Sequence, residues 1–165
     1  QFPLRKGTPK EELRNRLGLT SQVFNMALSQ LSREGVVLEE MSHVQLLDHQ
    51  VQFNPEQLKN ATDYLAALES SPYSPPTDRP PDQELLSALV DQGKVVKVND
   101  DIVFAASAYK ELVCRITNEI KAKGAITAAG VRDLVGTSRK YALALMEYMD
   151  QQRITRRVGD ERILR

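Results

Sequence analysis

Two clusters of cations near the end of the chain are the residues best suited to bind a ligand. The first is Ser138-Arg139-Lys140, at the predicted start of a helix. Backbone N–H groups at a helix N-terminus attract phosphate, and adjacent cations strengthen that attraction. An arginine can also grip a phosphate or a guanine edge with its forked guanidinium group. A solvated helix end is the alternative interpretation, and spacing alone leaves it open.

The second cluster is a predicted hairpin that is rich in arginine. Five arginines fall within thirteen residues: Arg153, Arg156, Arg157, Arg162 and Arg165. Such a hairpin can follow a phosphate backbone, with a salt-dependent contribution from each neutralised phosphate. The alternative is that Asp160 and Glu161 pair with some of these arginines. Arg132, on the preceding predicted helix, is a weaker candidate.

The charge of the chain is unevenly distributed, although the formal net charge is zero. Residues 1–107 contain 10 Lys and Arg against 15 Asp and Glu, a net charge of −5. Residues 108–165 contain 12 against 7, a net charge of +5. The last third of the chain is therefore the part suited to a polyanionic partner.

Several classes of function are disfavoured by what the sequence lacks. It contains no GxxxxGK[ST], HExxH or GxSxG motif, so we expect no catalytic site. The single cysteine, Cys114, permits neither a disulfide framework nor a cysteine-based zinc site, and we expect it in a helix core. His43 and His49, with Asp48 nearby, are a weak metal signal, so no metal site is predicted. No apolar run approaches eighteen residues, so no membrane span is expected.

An internal repeat organises the elements that must position the cations. The segment Thr20-Ser21…Phe24…Leu28…Leu31 recurs as Thr137-Ser138…Tyr141…Leu145…Tyr148, at an offset of 117 residues. A second match, at an offset of 58, relates Leu28…Leu31…Gly35 to Leu86…Leu89…Gly93. These matches predict three units: 1–53, 54–107 and 108–165. They also favour core packing over base stacking for Tyr141 and Tyr148.

The first unit is predicted to contain two helices and a hairpin. The first helix spans Pro9–Leu17, capped by Thr8. Thr20 or Ser21 caps the second helix, whose apolar face holds Val23, Leu28 and Leu31. The hairpin pairs Val36–Glu40 with Val44–Leu47. A further opening helix is expected upstream of Gln1, because this unit shows only two of the three helices that precede a winged-helix hairpin. The chain also lacks an initiator Met and is expected to be a piece of a longer protein.

The second unit is predicted to contain two helices separated by prolines. The first helix spans Pro55 to about Glu69. An extended connector, Ser70–Pro81, follows, because its five prolines remove donors and fix φ. Asp82 caps the next helix, and Lys94–Val98 then pairs with Ile102–Phe104 around a compact turn.

The third unit shows a complete winged-helix order of three helices and a hairpin. The predicted helices are Ala108–Lys123, Ala128–Val135 and a third that is capped by Thr137 and runs to about Gln152. The hairpin pairs Arg153–Val158 with Glu161–Leu164. The predicted fold class is therefore mainly α with small β-hairpins (α+β), as tandem winged-helix domains in an elongated array. Neighbouring units are expected to pack along Val51–Phe53 and Ala105–Tyr109.

The third unit resembles a known family. LVGTSRKYALALMEYMD followed by ITRRVGDERILR is similar to the C-terminal end of the bacterial selenocysteine-specific elongation factors, SelB. LVDQGKVVKVNDDIVF and PLRKGTPKEELRNRL also resemble that family, so the resemblance covers essentially the whole chain. Met146 and Met149 stand where mostly leucine is expected.

The resemblance implies that the full protein is a translation GTPase that delivers selenocysteinyl-tRNA to the ribosome at a UGA codon. Its C-terminal part is a run of four winged helices, the last of which binds an mRNA hairpin, the SECIS element. The three units would be the second, third and fourth of these.

The resemblance also implies a set of partners and contacts. This fragment would be an mRNA-binding module and no enzyme by itself, without cofactors of its own; GTP and Mg²⁺ would belong to the full-length factor. The ribosome and selenocysteinyl-tRNA would be bound through other parts of that factor. A cytoplasmic monomer is expected. The predicted RNA contacts are Ser138, Arg139, Lys140, Arg156, Arg157, Arg162 and Arg132. A DNA-binding winged-helix regulator and a winged-helix interaction scaffold are the alternatives.

Overall fold

A computed structural model describes residues 7–47, 53–78 and 80–165 of the chain. Helices and short antiparallel strands form this part of the chain, which confirms the predicted α+β class with winged-helix domains. The chain divides into two compact units, residues 1–55 and residues 56–165. The second compact unit therefore contains both the second and the third of the units that the repeat predicts. None of the helices described is long and apolar enough to cross a membrane.

The first unit is a small helical pair on a three-stranded sheet. Its elements are β1 (Thr8–Pro9), α1 (Lys10–Leu17), α2 (Ser21–Arg33), β2 (Val37–Glu39) and β3 (His43–Leu46). The antiparallel sheet has the order β1-β3-β2. Phe24, Leu28 and Val44 form its buried core.

The start of α1 and the buried face of α2 differ from their predictions. Thr8 does not cap a helix; it pairs with Val44 in the sheet, because a residue that precedes proline favours extended backbone. In α2, Phe24 and Leu28 are buried at the i, i+4 spacing, whereas Val23 and Leu31 are largely exposed.

The second unit contains the remaining helices and two sheets. Its elements are α3 (Pro55–Ser70), α4 (Gln83–Asp91), β4 (Val95–Lys97), β5 (Val103–Ala105), α5 (Ala106–Lys123), β6 (Ile126–Thr127), α6 (Ala128–Val135), α7 (Arg139–Gln151), β7 (Thr155–Val158) and β8 (Glu161–Leu164). Strands β4 and β5 form a hairpin, and the other sheet has the order β6-β8-β7. As predicted, Asp82 caps α4, and its carboxylate accepts hydrogen bonds from two backbone N–H groups.

One hydrophobic core joins the predicted second and third units. The β4–β5 hairpin and the helices α5, α6 and α7 all contribute to it, through residues that include Val98, Ile102, Phe104, Leu112, Ile116, Val131, Leu145 and Met149. Helix α5 begins at Ala106, directly after β5, so no linker separates the two. Ala105 and Ala108 are buried and Tyr109 packs against this core, whereas most of Val51–Phe53 lies outside the described residues. The division at residue 108 stays a prediction, but the β4–β5 hairpin of the second predicted unit belongs to the core of the third.

The structure corrects the register of the repeat by one residue. Thr20 and Ser138 are the residues that precede α2 and α7, so the structural offset is one residue longer than the sequence match suggested. The sequence match aligned Thr20 with Thr137, but the residue that occupies the cap position of α7 is Ser138. Arg139 is therefore equivalent to Ser21, and Lys140 to Gln22.

Cys114 is exposed, contrary to the prediction of a core position. The buried face of α5 is formed by Ala108, Leu112, Ile116 and Ile120. A residue two positions after Leu112 lies on the opposite side of the helix, because successive residues are rotated by about 100°.

We expect Phe104→Ala to destabilise the whole compact unit of residues 56–165, because the ring lies in the core that its hairpin and helices form together. The expected loss is about 3–5 kcal/mol in the free energy of unfolding, measured by urea denaturation of the full chain. Hydrogen exchange should show α4 and α7 losing protection together. Leu58→Ala on the exposed side of α3 is the control and should cost little. Loss of protection in α4 alone would show that the core is not shared.

Candidate nucleic-acid interface

The start of α7 presents an exposed polar segment. Ser138 precedes the helix in extended conformation (φ −88°, ψ 163°), and its side chain makes no capping hydrogen bond. Ser138, Arg139 and Lys140 are all exposed, and the Lys140 ammonium lies 5.8 Å from the ring centroid of Tyr141. The first N–H groups of a helix have no partners within it. The arrangement offers N–H donors and two cations on the same turn.

The connector between α3 and α4 holds this helix start in place. Thr137 does not cap α7; its hydroxyl donates to the carbonyl oxygen of Tyr73 at 2.5 Å and lies 3.0 Å from Ser74 Oγ. The Tyr141 hydroxyl donates to the Pro75 carbonyl oxygen at 2.7 Å. The residues on both sides of Ser138-Arg139-Lys140 are therefore fixed from outside the helix.

The connector makes these contacts because it turns instead of remaining extended. The backbone N–H of Ser74 donates to Ser71 across the turn, and Pro75 is fully buried. The Tyr73 ring packs against Arg115, whose guanidinium lies 5.6 Å from the ring centroid and also donates to the Leu134 carbonyl oxygen at 2.9 Å. The proline content predicted a connector, but nothing in it indicated where the connector packs.

The two tyrosines of α7 are packing residues, as predicted, although the corrected register no longer aligns them with Phe24 and Leu31. Tyr141 lies edge-on to Phe104, with ring centroids 6.4 Å apart. Tyr148 lies edge-on to Tyr109 at 5.6 Å, and burial raises the pKa of Tyr109. Neither ring is presented as a platform for base stacking.

The wing, which we define as β7, β8 and their turn, presents two arginines to solvent. Arg156 is exposed, and no ion pair of Arg156 is found within the described residues. The Arg157 Nε donates to the Gly159 carbonyl oxygen at 2.8 Å, and its guanidinium lies 3.8 Å from Asp160. Asp160 therefore pairs with Arg157 over a long distance, while Arg156 keeps its charge available.

Arg162 occupies a different environment from the other predicted contacts. Its side chain is only 8% exposed, and Nε donates to Asp150 Oδ2 at 2.5 Å. The other Asp150 oxygen accepts a hydrogen bond from the Thr155 hydroxyl at 2.7 Å. These three residues form a buried polar triad that connects the end of α7 with both wing strands. We therefore treat Arg162 as a structural residue.

The register of the wing explains why Arg162 needs an acidic partner. Arg157 and Arg162 are directly opposed across β7 and β8, and opposed like charges are unfavourable. Asp150 neutralises one guanidinium and Asp160 approaches the other. In the first unit, the residue equivalent to Arg162 is the buried Val44. The sequence shows Asp150 near the end of α7 and Arg162 on the wing, but it does not show that the two side chains meet.

Arg132 on α6 is exposed but already paired. Its Nε donates to Asp133 Oδ1 at 2.7 Å, and this hydrogen bond lowers the pKa of the Asp133 carboxyl. A phosphate would have to compete with that carboxylate, so Arg132 stays the weakest of the predicted contacts.

No group of His, Cys, Asp and Glu that could hold a metal is present among the described residues. His43 contacts Ser42, with 2.8 Å between Nδ1 and Oγ. His49 and Asp48 lie outside the residues that the structure describes.

Comparison with protein families decides where the chain belongs. Two family models described as "Elongation factor SelB, winged helix" match residues 1–46 and 118–164, together more than half of the chain. The chain belongs to the SelB elongation factor family. The matched models are those of the second and third winged helices, respectively, so the ordinal position assigned to each unit above stays a prediction.

Individual SelB proteins match nearly the whole chain. A selenocysteine-specific elongation factor from Desulfomicrobium baculatum is 25% identical over 99% of this chain and 28% of its own length. One from Haemophilus influenzae is 26% identical over 84% of this chain and 24% of its own length. The chain thus spans about a quarter of the length of these curated relatives.

Two solved structures share the fold. The mRNA-binding domain of Escherichia coli SelB, solved in complex with SECIS RNA, matches 68% of this chain and 99% of its own length, with a TM-score of 0.52 and 23% identity. A bacterial selenocysteine-specific elongation factor, EF-Sec, matches 96% of this chain and 26% of its own length, with a TM-score of 0.58 and 15% identity.

We expect Asp150→Asn to be strongly destabilising, because it leaves the buried Arg162 guanidinium without a counter-charge. The expected cost is about 3–5 kcal/mol in the free energy of unfolding. The double variant Asp150→Asn/Arg162→Met should recover much of that loss, since it removes both members of the ion pair, including the buried guanidinium. Urea denaturation of the full chain measures all three proteins. A double variant that is less stable than Asp150→Asn would contradict the assignment of a buried ion pair.

Proposed function

We propose that this chain is the mRNA-binding module of a selenocysteine-specific elongation factor and that its basic end recognises a SECIS hairpin. The observation that carries the proposal is the group of exposed cations at the start of α7 and on the wing. Arg139, Lys140 and Arg156 face solvent, and no ion pair of these side chains is found among the described residues. The family membership of the chain, and the RNA complex formed by the Escherichia coli relative, support the choice of RNA over another polyanion.

In this proposal, the full-length factor is a cytoplasmic GTPase that delivers selenocysteinyl-tRNA to the ribosome at a UGA codon. GTP, Mg²⁺, the tRNA and the ribosome are bound by other parts of that factor. The module described here acts as a monomer, needs no cofactor and catalyses no reaction by itself. The two acidic winged helices act as spacers between the mRNA and the ribosome-bound part.

The contacts follow from which cations are available. Arg139 and Lys140 bind phosphates together with the N–H groups of the first α7 turn. Arg156 and, more weakly, Arg157 follow the backbone along the wing, and Ser138 contributes its hydroxyl. These phosphate contacts set the register. Selectivity comes from loop or bulged bases, because the A-form major groove is too narrow for side chains to read.

The proposal is tested with the full chain, because the shared core makes a fragment that begins at residue 108 an unsuitable substitute. Competition titrations across a salt series compare a bulged RNA hairpin of the SECIS type, a scrambled hairpin and duplex DNA of equal length. Tight binding to the first RNA alone is expected. Preference for duplex DNA would favour a DNA-binding regulator, and equal weak binding to all three would favour an interaction scaffold.

We expect Arg139→Ala and Arg156→Ala each to weaken hairpin binding by about 1–3 kcal/mol and to flatten the dependence of affinity on salt. Arg33→Ala, which removes an exposed cation at the end of α2 in the first unit, is the matched control and should change neither quantity. Arg14 is less suitable as a control, because it contacts Ser21 and Glu11. Unchanged affinity and salt dependence in both test variants would disprove this contact assignment.

A further inference from the structure

Three equivalent helix ends in this chain are built in the same way. After α2, α4 and α7, a residue with left-handed backbone turns the chain into the following strand: Gly35 (φ 70°), Gly93 (φ 66°) and Arg153 (φ 59°). In each case its N–H donates three residues back, and the next N–H donates five residues back. This is the Schellman arrangement, in which glycine is the usual left-handed residue.

Arg153 departs from the solution that the other two units use. Within the described residues, it is the only residue other than glycine with a positive φ. Left-handed backbone is unfavourable for a side chain with a Cβ, because that atom approaches the following carbonyl oxygen. A Cβ added to Gly35 or Gly93 would meet no atom within 4 Å. Side chains at this position therefore project into open space, and their cost comes from the backbone alone.

A stabilising role does not account well for this arginine. A cation near the end of a helix interacts favourably with the helix dipole, but that benefit is smaller than the cost of left-handed backbone. Arg153 is exposed, and no hydrogen bond or ion pair of its guanidinium is found among the described residues. An unfavourable backbone conformation without local compensation points to a role in function.

We propose that Arg153 is a further RNA contact, which binds a phosphate where α7 passes into the wing. This inference rests on the proposed function, and it adds the C-terminal end of α7 to the two groups of cations already described. Arg153 lies three residues before Arg156, in the most basic segment of the chain. The strain at Arg153 is the cost of carrying a cation at a position where the other units carry none.

The substitution Arg153→Gly separates a binding role from a structural one, because the two predict opposite changes in stability. We expect the melting temperature to rise by roughly 2–4 °C, since glycine relieves the backbone. Affinity for a bulged SECIS-type RNA hairpin should fall roughly 5- to 10-fold, and the slope of log affinity against log salt should shrink by about 1. Arg153→Asn, which tolerates left-handed backbone without charge, should behave in the same way.

Two further variants complete the test. Arg153→Lys keeps both the charge and the strain, so it should stay close to the parent in melting temperature and retain most of the affinity. Gly93→Arg places the same strain after α4 and should lower the melting temperature. An unchanged melting temperature would show that left-handed backbone is not unfavourable for an arginine at this kind of helix end.

The outcomes are distinguishable from failure of the proposed function. A parent chain that binds the hairpin selectively, with Arg153→Gly unchanged in affinity and salt slope, would overturn the role of Arg153 alone. A lower melting temperature in Arg153→Gly would assign the arginine a structural role instead. A parent chain that does not prefer the hairpin would overturn the proposed function, whatever the variants do.

Discussion

The packing of Phe104 against α7 is the contact on which the rest of the compact unit of residues 56–165 depends. The ring projects from the middle of β5 and lies among side chains of α5 and α7, so one core spans two segments that the repeat predicted to be separate. Units of this size bury little surface when alone, and sharing a core enlarges the buried area of both. Because α5 follows β5 without a linker, the chain has no flexible point at which the two could separate.

Polar contacts then fix both ends of α7 on this core. At its start, Thr137 and Tyr141 bind carbonyl groups of the connector, and at its end Asp150 binds Thr155 and Arg162. The net stability that each set of bonds contributes is small, because they replace bonds to water; the cost is large only when one partner is removed and the other stays buried, as for Arg162. Their effect is to restrict the helix to one position relative to the wing, so the cations of the two elements keep a fixed spacing.

Most of the fold could be predicted from the sequence, because it is encoded locally. Periodic apolar residues and glycines at helix ends indicated the helices, and Asn99 and Gly159 marked two of the turns. The errors arose where long-range contacts decide. Threonine commonly caps helices, but the Thr137 hydroxyl binds the Tyr73 carbonyl oxygen instead. Arg162 has the sequence pattern of a surface cation, but the structure pairs it with Asp150. The cluster of cations could be predicted; which of them remain available could not, because that depends on partners distant in sequence.

The connector contacts also define the smallest piece of this chain that can be transferred to another protein. A graft of the last winged helix alone would leave Tyr141 without the Pro75 carbonyl and would expose the side of α5 that meets Phe104. A chimaera that begins near residue 56 carries both surfaces with it. Exchange of this C-terminal part between homologues, in the laboratory or by recombination, is therefore expected to follow that boundary and not the boundary between repeats.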